Sequence, residues 1–295
     1  MRTLAIGLAS LVAAALAAAG PPTGVSAGRT ESRTAQGGLR ASVTAILREG
    51  ADAKWIGYAV DTDQDGSACC WSSVRNAGDC CGGCRLEGGR GDMAFTVDHP
   101  NHVALEGPRR ARILLRAAAG RVEQVRVFSE DCALDVGRLP FVWLEGVQGA
   151  ESADFLGSLI ADGGREDHDG RDLTDAPLLA LSMHADPHAV DVMVTAARQH
   201  SSTRVRKQAL FWLSQTASRR VAAELAAAVD DDPDADVRKQ AVFALSQMPP
   251  AEGVPQLIRV ARTNRHHEVR KQAIFWLGQS EDPRALSFFE EILGR

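Results

Sequence analysis

The sequence predicts an α+β protein in which a small disulfide-linked antiparallel β domain precedes a C-terminal α-solenoid. Three observations carry this expectation. The segments VRKQALFWLSQ from Val205, VRKQAVFALSQ from Val237 and VRKQAIFWLGQ from Val269 align without gaps at a spacing of 32 residues. All six cysteines fall between Cys69 and Cys132, before the repeats begin. Around them, short β-prone stretches alternate with turn signals. Self-similarity at a fixed period marks stacked supersecondary units. An even number of cysteines in a confined region marks a disulfide framework where the compartment is oxidising.

The chain has 295 residues and a formal charge of −5. That length suits about two domains, and the mild acidity gives no electrostatic footprint for nucleic acid. At the N-terminus, Arg2 supplies a positive charge and Leu4 to Ala19 is apolar and Ala-rich. Such a stretch has the length of a signal-peptide core and is short for a membrane span. Val25-Ser26-Ala27 fits the small-x-small rule for cleavage, and Ala17-Ala18-Ala19 is a second candidate. Residues 1–27 are therefore expected to be a signal peptide. No cysteine follows the apolar run, so a lipid anchor is not expected. No later stretch is long enough to span a bilayer. The mature protein is expected to be secreted or periplasmic.

Residues 28–50 read as a partly disordered leader. Gly28 to Gly38 is polar and Gly-rich, and Leu39 to Glu49 fits a short helix. Residues 51–145 read as the cysteine-containing β domain. Strand-like stretches are Lys54 to Val60, Met93 to Val97, His102 to Glu106, Arg110 to Arg116 and Arg121 to Phe128. Turn signals such as Asp98-His99-Pro100-Asn101 and Gly107-Pro108 separate them. Residues 146–172 read as a connecting helix, Ser152 to Ala161, with Leu156, Leu159 and Ile160 buried, followed by an acidic linker.

The disulfide candidates are Cys69, Cys70, Cys80, Cys81, Cys84 and Cys132. Pairing of adjacent cysteines is strained, which leaves about ten of the fifteen connectivities. Cys80-Cys81-x-x-Cys84 contains a CxxC, but no second CxxC stands at zinc-ribbon spacing and no thioredoxin-like context surrounds it. Asp61, Asp63, Asp65 and Gly66 match the start of a calcium loop. Ser72 stands where an EF-hand needs a bidentate Glu, so only an isolated calcium site remains as a cofactor candidate. His184 and His188 flank Pro187 and share no helix face. There is no HExxH, GxSxG or Walker A motif.

Residues 173–295 read as the solenoid. LTDAPLLALSM from Leu173 stands one period before the first full repeat. It keeps the apolar positions and lacks VRKQ, as a capping unit would. Each unit reads as two helices: Val205 to Gln215 then Arg219 to Val229 in the second, with Glu252 to Arg262 closing the third. Pro283 opens the last helix, with Leu286, Phe289, Ile292 and Leu293 as its expected buried stripe. Asp232-Pro233, Val237-Arg238, Ala241 and Leu245 form a pattern that resembles the short HEAT-like repeats named after phycobilin lyases. The resemblance covers this region alone. It implies an α-solenoid of a kind that serves as scaffold, enzyme subunit or inhibitor alike, and it carries no lyase activity, since no chromophore-site residue has a match.

On a helical wheel of about 100° per residue, Val205, Ala209, Trp212 and Leu213 share one arc. Lys207, Gln208, Phe211 and Gln215 fall opposite. The set recurs as Lys239, Gln240, Phe243, Gln247 and as Lys271, Gln272, Phe275, Gln279. The chain has only four lysines among 33 basic residues, and three hold this one position. Stacking would align these groups into a strip suited to a protein or peptide partner. The Phe row equally fits sideways packing between repeats. Arg206, Arg238 and Arg270 are placed to reach aspartates of a neighbouring turn. The leading expectation is a non-enzymatic, exported interaction scaffold. The second is an exported hydrolase or metal-dependent enzyme with its site in the N-terminal domain.

Overall fold

The computed structural model describes residues 22–63, 67–70, 84–87, 93–96, 110–130, 132–163, 165–168, 170, 172–216 and 219–294. A five-stranded sheet runs in the order β2 (Arg29–Thr34), β10 (Pro140–Glu145), β3 (Lys54–Asp61), β7 (Arg110–Ala118), β8 (Arg121–Ser129). β3, β7 and β8 form an antiparallel meander. β10 is parallel to both β2 and β3. The sheet is therefore mixed, which corrects the antiparallel expectation. The reason is α1 (Leu39–Arg48), which returns the chain from β2 to β3 in the same direction and leaves a gap that β10 fills. Parallel neighbours need such a crossover.

The stretch expected to be a disordered leader supplies β2. Its residues RTESRT pair with β10 from Arg29↔Pro140 to Thr34↔Glu145. An edge strand is held by backbone bonds and needs no apolar face, so its polar sequence hid it.

The sheet is buried on both faces, and each face has its own core. Ile56, Tyr58, Val60, Ile113, Leu115, Val125, Val127, Val142 and Leu144 point to one side, where they join Leu39, Val43 and Ile46 of α1. Trp55, Leu114, Phe128, Phe141 and Trp143 point to the other. This second core is covered by a small parallel sheet in the order β1 (Val25–Ser26), β9 (Leu134–Asp135), β5 (Cys84–Arg85). A separate antiparallel pair joins β4 (Ser67–Cys70) to β6 (Met93–Thr96). The stretch expected as a strand at His102 to Glu106 lies outside the described residues.

The helices continue the first core. One row holds α2 (Gly149–Ala161), α4 (Pro187–Gln199), α6 (Arg219–Asp231), α8 (Pro250–Thr263) and α10 (Pro283–Leu293). The other holds α3 (Asp175–Ser182), α5 (Thr203–Ser214), α7 (Ala235–Gln247) and α9 (His267–Gly278). Asp186, Asp234 and Asp282 cap α4, α7 and α10 by accepting backbone N–H bonds. Pro187 and Pro283 occupy the first turn, where a missing N–H is harmless. One position in the α3 row reads Ala180, Trp212, Ala244 and Trp276 in successive helices. Large thus alternates with small along the stack, as interdigitation requires.

The Leu173 unit is not a free cap. α3 packs on β8, and α2 packs on α1 and β3. Ala185 donates its N–H to the Asp61 carbonyl at 2.9 Å, and the Arg165 guanidinium donates to the Val122 carbonyl at 2.9 Å. The first repeat is degenerate because its neighbour is a sheet, not another repeat.

Candidate functional site

The first helices of the repeats are sandwiched, so more of each is buried than a wheel allows. Val205, Ala209 and Leu213 are buried, and so are Arg206, Leu210 and Ser214. In the expected strip, Lys207, Gln208 and Phe211 are half-buried. Gln240 and Phe243 are half-buried beside exposed Lys239, and Gln272 is half-buried beside exposed Lys271. The Phe243 ring packs sideways on Trp276 of the next repeat, with centroids 5.3 Å apart. Phe211 lies edge-on to its own neighbour Trp212 at 5.0 Å. Phe275 is 54 % exposed. Lys239 and Lys271 form the accessible part of the strip, and Phe275 is its open aromatic.

That openness extends over the last repeat. Its exposed large apolar side chains are Ile274, Phe275, Leu286, Ile292 and Leu293. One period earlier stand Val242, Phe243, Val254, Val260 and Ala261. Leu286 is 62 % exposed where Val254 is 4 %, and Leu293 is 82 % exposed where Ala261 is 8 %. The stripe expected to be buried in α10 is thus corrected. Ala285 and Phe288 are its buried residues, Phe289 is half-buried, and the stripe faces the side on which another repeat would stack.

The repeat arginines differ among themselves. Arg206 is buried and makes a bidentate pair with Asp232, at 3.0 and 3.2 Å, while donating to the carbonyls of His200 and Ser201. Arg238 donates to the carbonyls of Asp232 and Pro233, and Arg270 to those of Asn264 and Arg265. The aspartate ladder is real only at Arg206. Asn264 replaces the aspartate one turn later, and its amide donates instead to Asp230.

One polar constellation has no sequence signal at all. His184 Nδ1 faces the Ala180 carbonyl at 2.7 Å, an oxygen that can only accept. Nδ1 therefore carries the proton, and Nε2 accepts from the Ser152 hydroxyl at 2.9 Å. Ser152 in turn accepts from the Tyr58 hydroxyl at 2.9 Å. A serine donating to a histidine has the form of an activated nucleophile. Here Ser152 is fully buried under Tyr58, and a carbonyl orients the imidazole instead of a carboxylate. The triplet ties β3, α2 and the end of α3 together. Burial lowers the His184 pKa from its ordinary 6.5 and raises that of Tyr58.

Asp61 closes β3 as an exposed residue, 3.6 Å from Arg110, and Asp63 is exposed beyond it. Asp65 lies outside the described residues. No group of three or more His, Cys, Asp or Glu placed to hold a metal occurs among the described residues. Cys69 and Cys70 end β4, Cys84 opens β5, and Cys80 and Cys81 lie outside the described residues. The register sets Cys84 opposite Leu134, two residues after the buried Cys132. His188 Nε2 lies 2.7 Å from Asp154 at the mouth of a cleft of about 650 Å³ between α2 and α4.

Paired helices in two rows, repeating every 32 residues and stacked on a sheet, define an α-solenoid with a β cap. Residues 176–246 and 222–295 match the family model for HEAT repeats. The C-terminal region is an array of HEAT repeats. No curated protein matches the chain.

Proposed function

We propose that the chain is an exported scaffold that binds a helical segment of a partner protein on the open end of its last repeat. The carrying observation is the apolar face of Ile274, Phe275, Leu286, Ile292 and Leu293, at positions where the preceding repeat buries Val242, Val254, Val260 and Ala261 and half-buries Phe243. An exposed apolar patch of this kind marks an interaction surface. Its shape is that of a helix-receiving surface, because every earlier copy receives helices. Lys271 stands one helical turn from Phe275, so an amphipathic helix with acidic residues beside its apolar stripe is the fitting occupant. HEAT repeats suggest a protein-interaction scaffold in general.

The export reading rests on the N-terminal leader. One further fact supports it. Cys132 is engaged in a disulfide, which fits an oxidising compartment. No helix among the described residues is long and apolar enough to cross a membrane. Under this reading the remaining cysteines are also paired, and the denatured exported protein carries no free thiol.

The test compares the intact chain with a variant carrying Phe275→Ser, Leu286→Ser and Leu293→Ser, checked for an unchanged circular dichroism spectrum. Capture of one partner from the exported fraction by the intact chain, with loss in the variant, is expected. Equal capture by both proteins would place the interface elsewhere. Sedimentation of the pure chain as a dimer that the variant abolishes would show that a second copy occupies the face.

A further inference from the structure

We infer that the leader is cut between Ala19 and Gly20, and not after Ala27. This rests on the export reading above. The two candidate small-x-small sites are Ala17-Ala18-Ala19, at the end of the apolar run, and Val25-Ser26-Ala27. The sequence reading puts the cut after Ala27 first, and the fold reverses that order.

The residues that a cut after Ala27 would remove are part of the folded domain. The Thr23 carbonyl accepts from the Arg112 guanidinium at 3.1 Å, and Arg112 is a buried side chain on the same face of β7 as Leu114, the face of the second core. The Gly24 carbonyl accepts from Leu134 N–H at 2.8 Å, and the Ser26 carbonyl accepts from Val136 N–H at 2.7 Å. Leu134 and Val136 are both buried. Val25 and Ala27 pack against the second core, beside Leu134, Phe141 and Trp143. The approach stays close through the next residue: a Cβ on Gly28 would stand 2.3 Å from the Arg138 carbonyl oxygen.

A chain beginning at Gly28 lacks β1 altogether. Two buried N–H groups and one arm of a buried guanidinium lose their acceptors, and unsatisfied buried donors are strongly disfavoured. The second core loses Val25 and Ala27 and opens on the side of β9. A mature chain with this fold has to begin before Thr23. The upstream small-x-small site meets that requirement, and the downstream one violates it. The step is hydrolysis of one amide bond by a membrane-bound signal peptidase. Water adds across the bond, leaving a carboxylate on Ala19 and an ammonium on Gly20.

The experiment is expression of the full chain in an exporting bacterial host, followed by intact mass and N-terminal sequencing of the exported protein. The expected N-terminus is Gly20, and an Ala19→Leu variant is expected to accumulate as uncut precursor. An N-terminus at Gly28 would overturn the inference. A chain confined to the cytoplasm with its leader intact would overturn the export reading beneath it, and the two results are distinguishable. A second measurement needs no host processing. Chains 20–295 and 28–295 are compared by melting, with the shorter expected to melt at least about 5 °C lower. Equal melting would show that β1 contributes nothing and would sink the argument.

Discussion

Arg206–Asp232 and Arg220–Asp191 are both ion pairs between helical units, and burial separates their consequences. In the first, side-chain exposures are 10 % and 5 %. In the second, both groups stand in solvent. Asp232→Ala leaves a buried guanidinium without its carboxylate and is expected to destabilise by about 3–5 kcal/mol. Asp191→Ala is expected to cost under about 1 kcal/mol. Urea denaturation of the two variants checks this, and similar losses would disprove the assigned burial. His184 gives a pH dependence whose sign follows from its lowered pKa. The unfolded imidazole gains its proton near the ordinary 6.5, and the folded one resists because it is buried and Nε2 already accepts from Ser152. Stability is full above 6.5 and falls as pH drops from there toward the lowered folded value. His188 acts in the opposite sense. Its hydrogen bond to Asp154 raises its pKa, so it contributes below the unfolded value and loses that contribution as pH rises through the folded one. Its partner Asp154 is largely exposed, so the pair is screened and the buried His184 is expected to dominate. The urea midpoint of the wild type is expected to drop more between pH 7.5 and 5.5 than that of His184→Gln. Parallel slopes would remove His184 as the cause.

Among the elements, position in the stack outweighs side-chain type. Leu210 in α5 is fully buried between neighbouring repeats, while Leu286 in α10 projects from the last one. Leu210→Ala is expected to cost about 2–5 kcal/mol. Leu286→Ala is expected to stay within about 0.5 kcal/mol. A large loss at Leu286 would mean that the terminal face is covered in the isolated protein. This contrast marks what was legible in the sequence. The repeat period, the helix pairs and the core positions Val205, Ala209 and Leu213 could be read directly, because they depend on local periodicity. The exposed stripe of α10 could not, because an amphipathic pattern states which residues are apolar and not whether a neighbour exists to cover them. β2 and β10 were missed for opposite reasons. RTESRT is an edge strand with no apolar alternation, and PFVWLE is a short apolar run buried on both faces. The Tyr58–Ser152–His184 chain was invisible because its members come from three distant segments. The Lys207, Lys239 and Lys271 positions were visible as a repeat, but the sideways contact of Phe243 with Trp276 depends on stacking geometry.

The molecule as a whole is one core that starts on a sheet and ends uncovered. Residues of α1, one face of the sheet and the helices from α2 to α10 belong to a single hydrophobic cluster. Repeat arrays gain stability from nearest-neighbour interfaces, and a unit with one interface is the weakest. Here the two ends are unlike. The first repeat has its outer side closed by β8, α1 and α2, and is fixed further by the His184 network. The repeat of α9 and α10 packs on one neighbour and exposes Leu286 and Leu293 on its other side. Amide exchange reports local opening free energy. Protection is therefore expected to be highest in β3, β7 and α3 and to fall through α5, α7 and α9 to the lowest values in α10. The same asymmetry predicts the effect of cutting the chain. A fragment of residues 173–295 would expose Leu178 and Leu181, which are buried in the intact protein, and so open a second bare end. Its exchange profile should lose protection from both ends, with α3 falling to the level of α10. If the fragment instead keeps α3 as protected as in the full chain, the sheet is a passenger and the solenoid is a domain in its own right. If α3 alone collapses while α5 to α9 hold, the sheet acts as the cap that the sequence of the first repeat fails to provide.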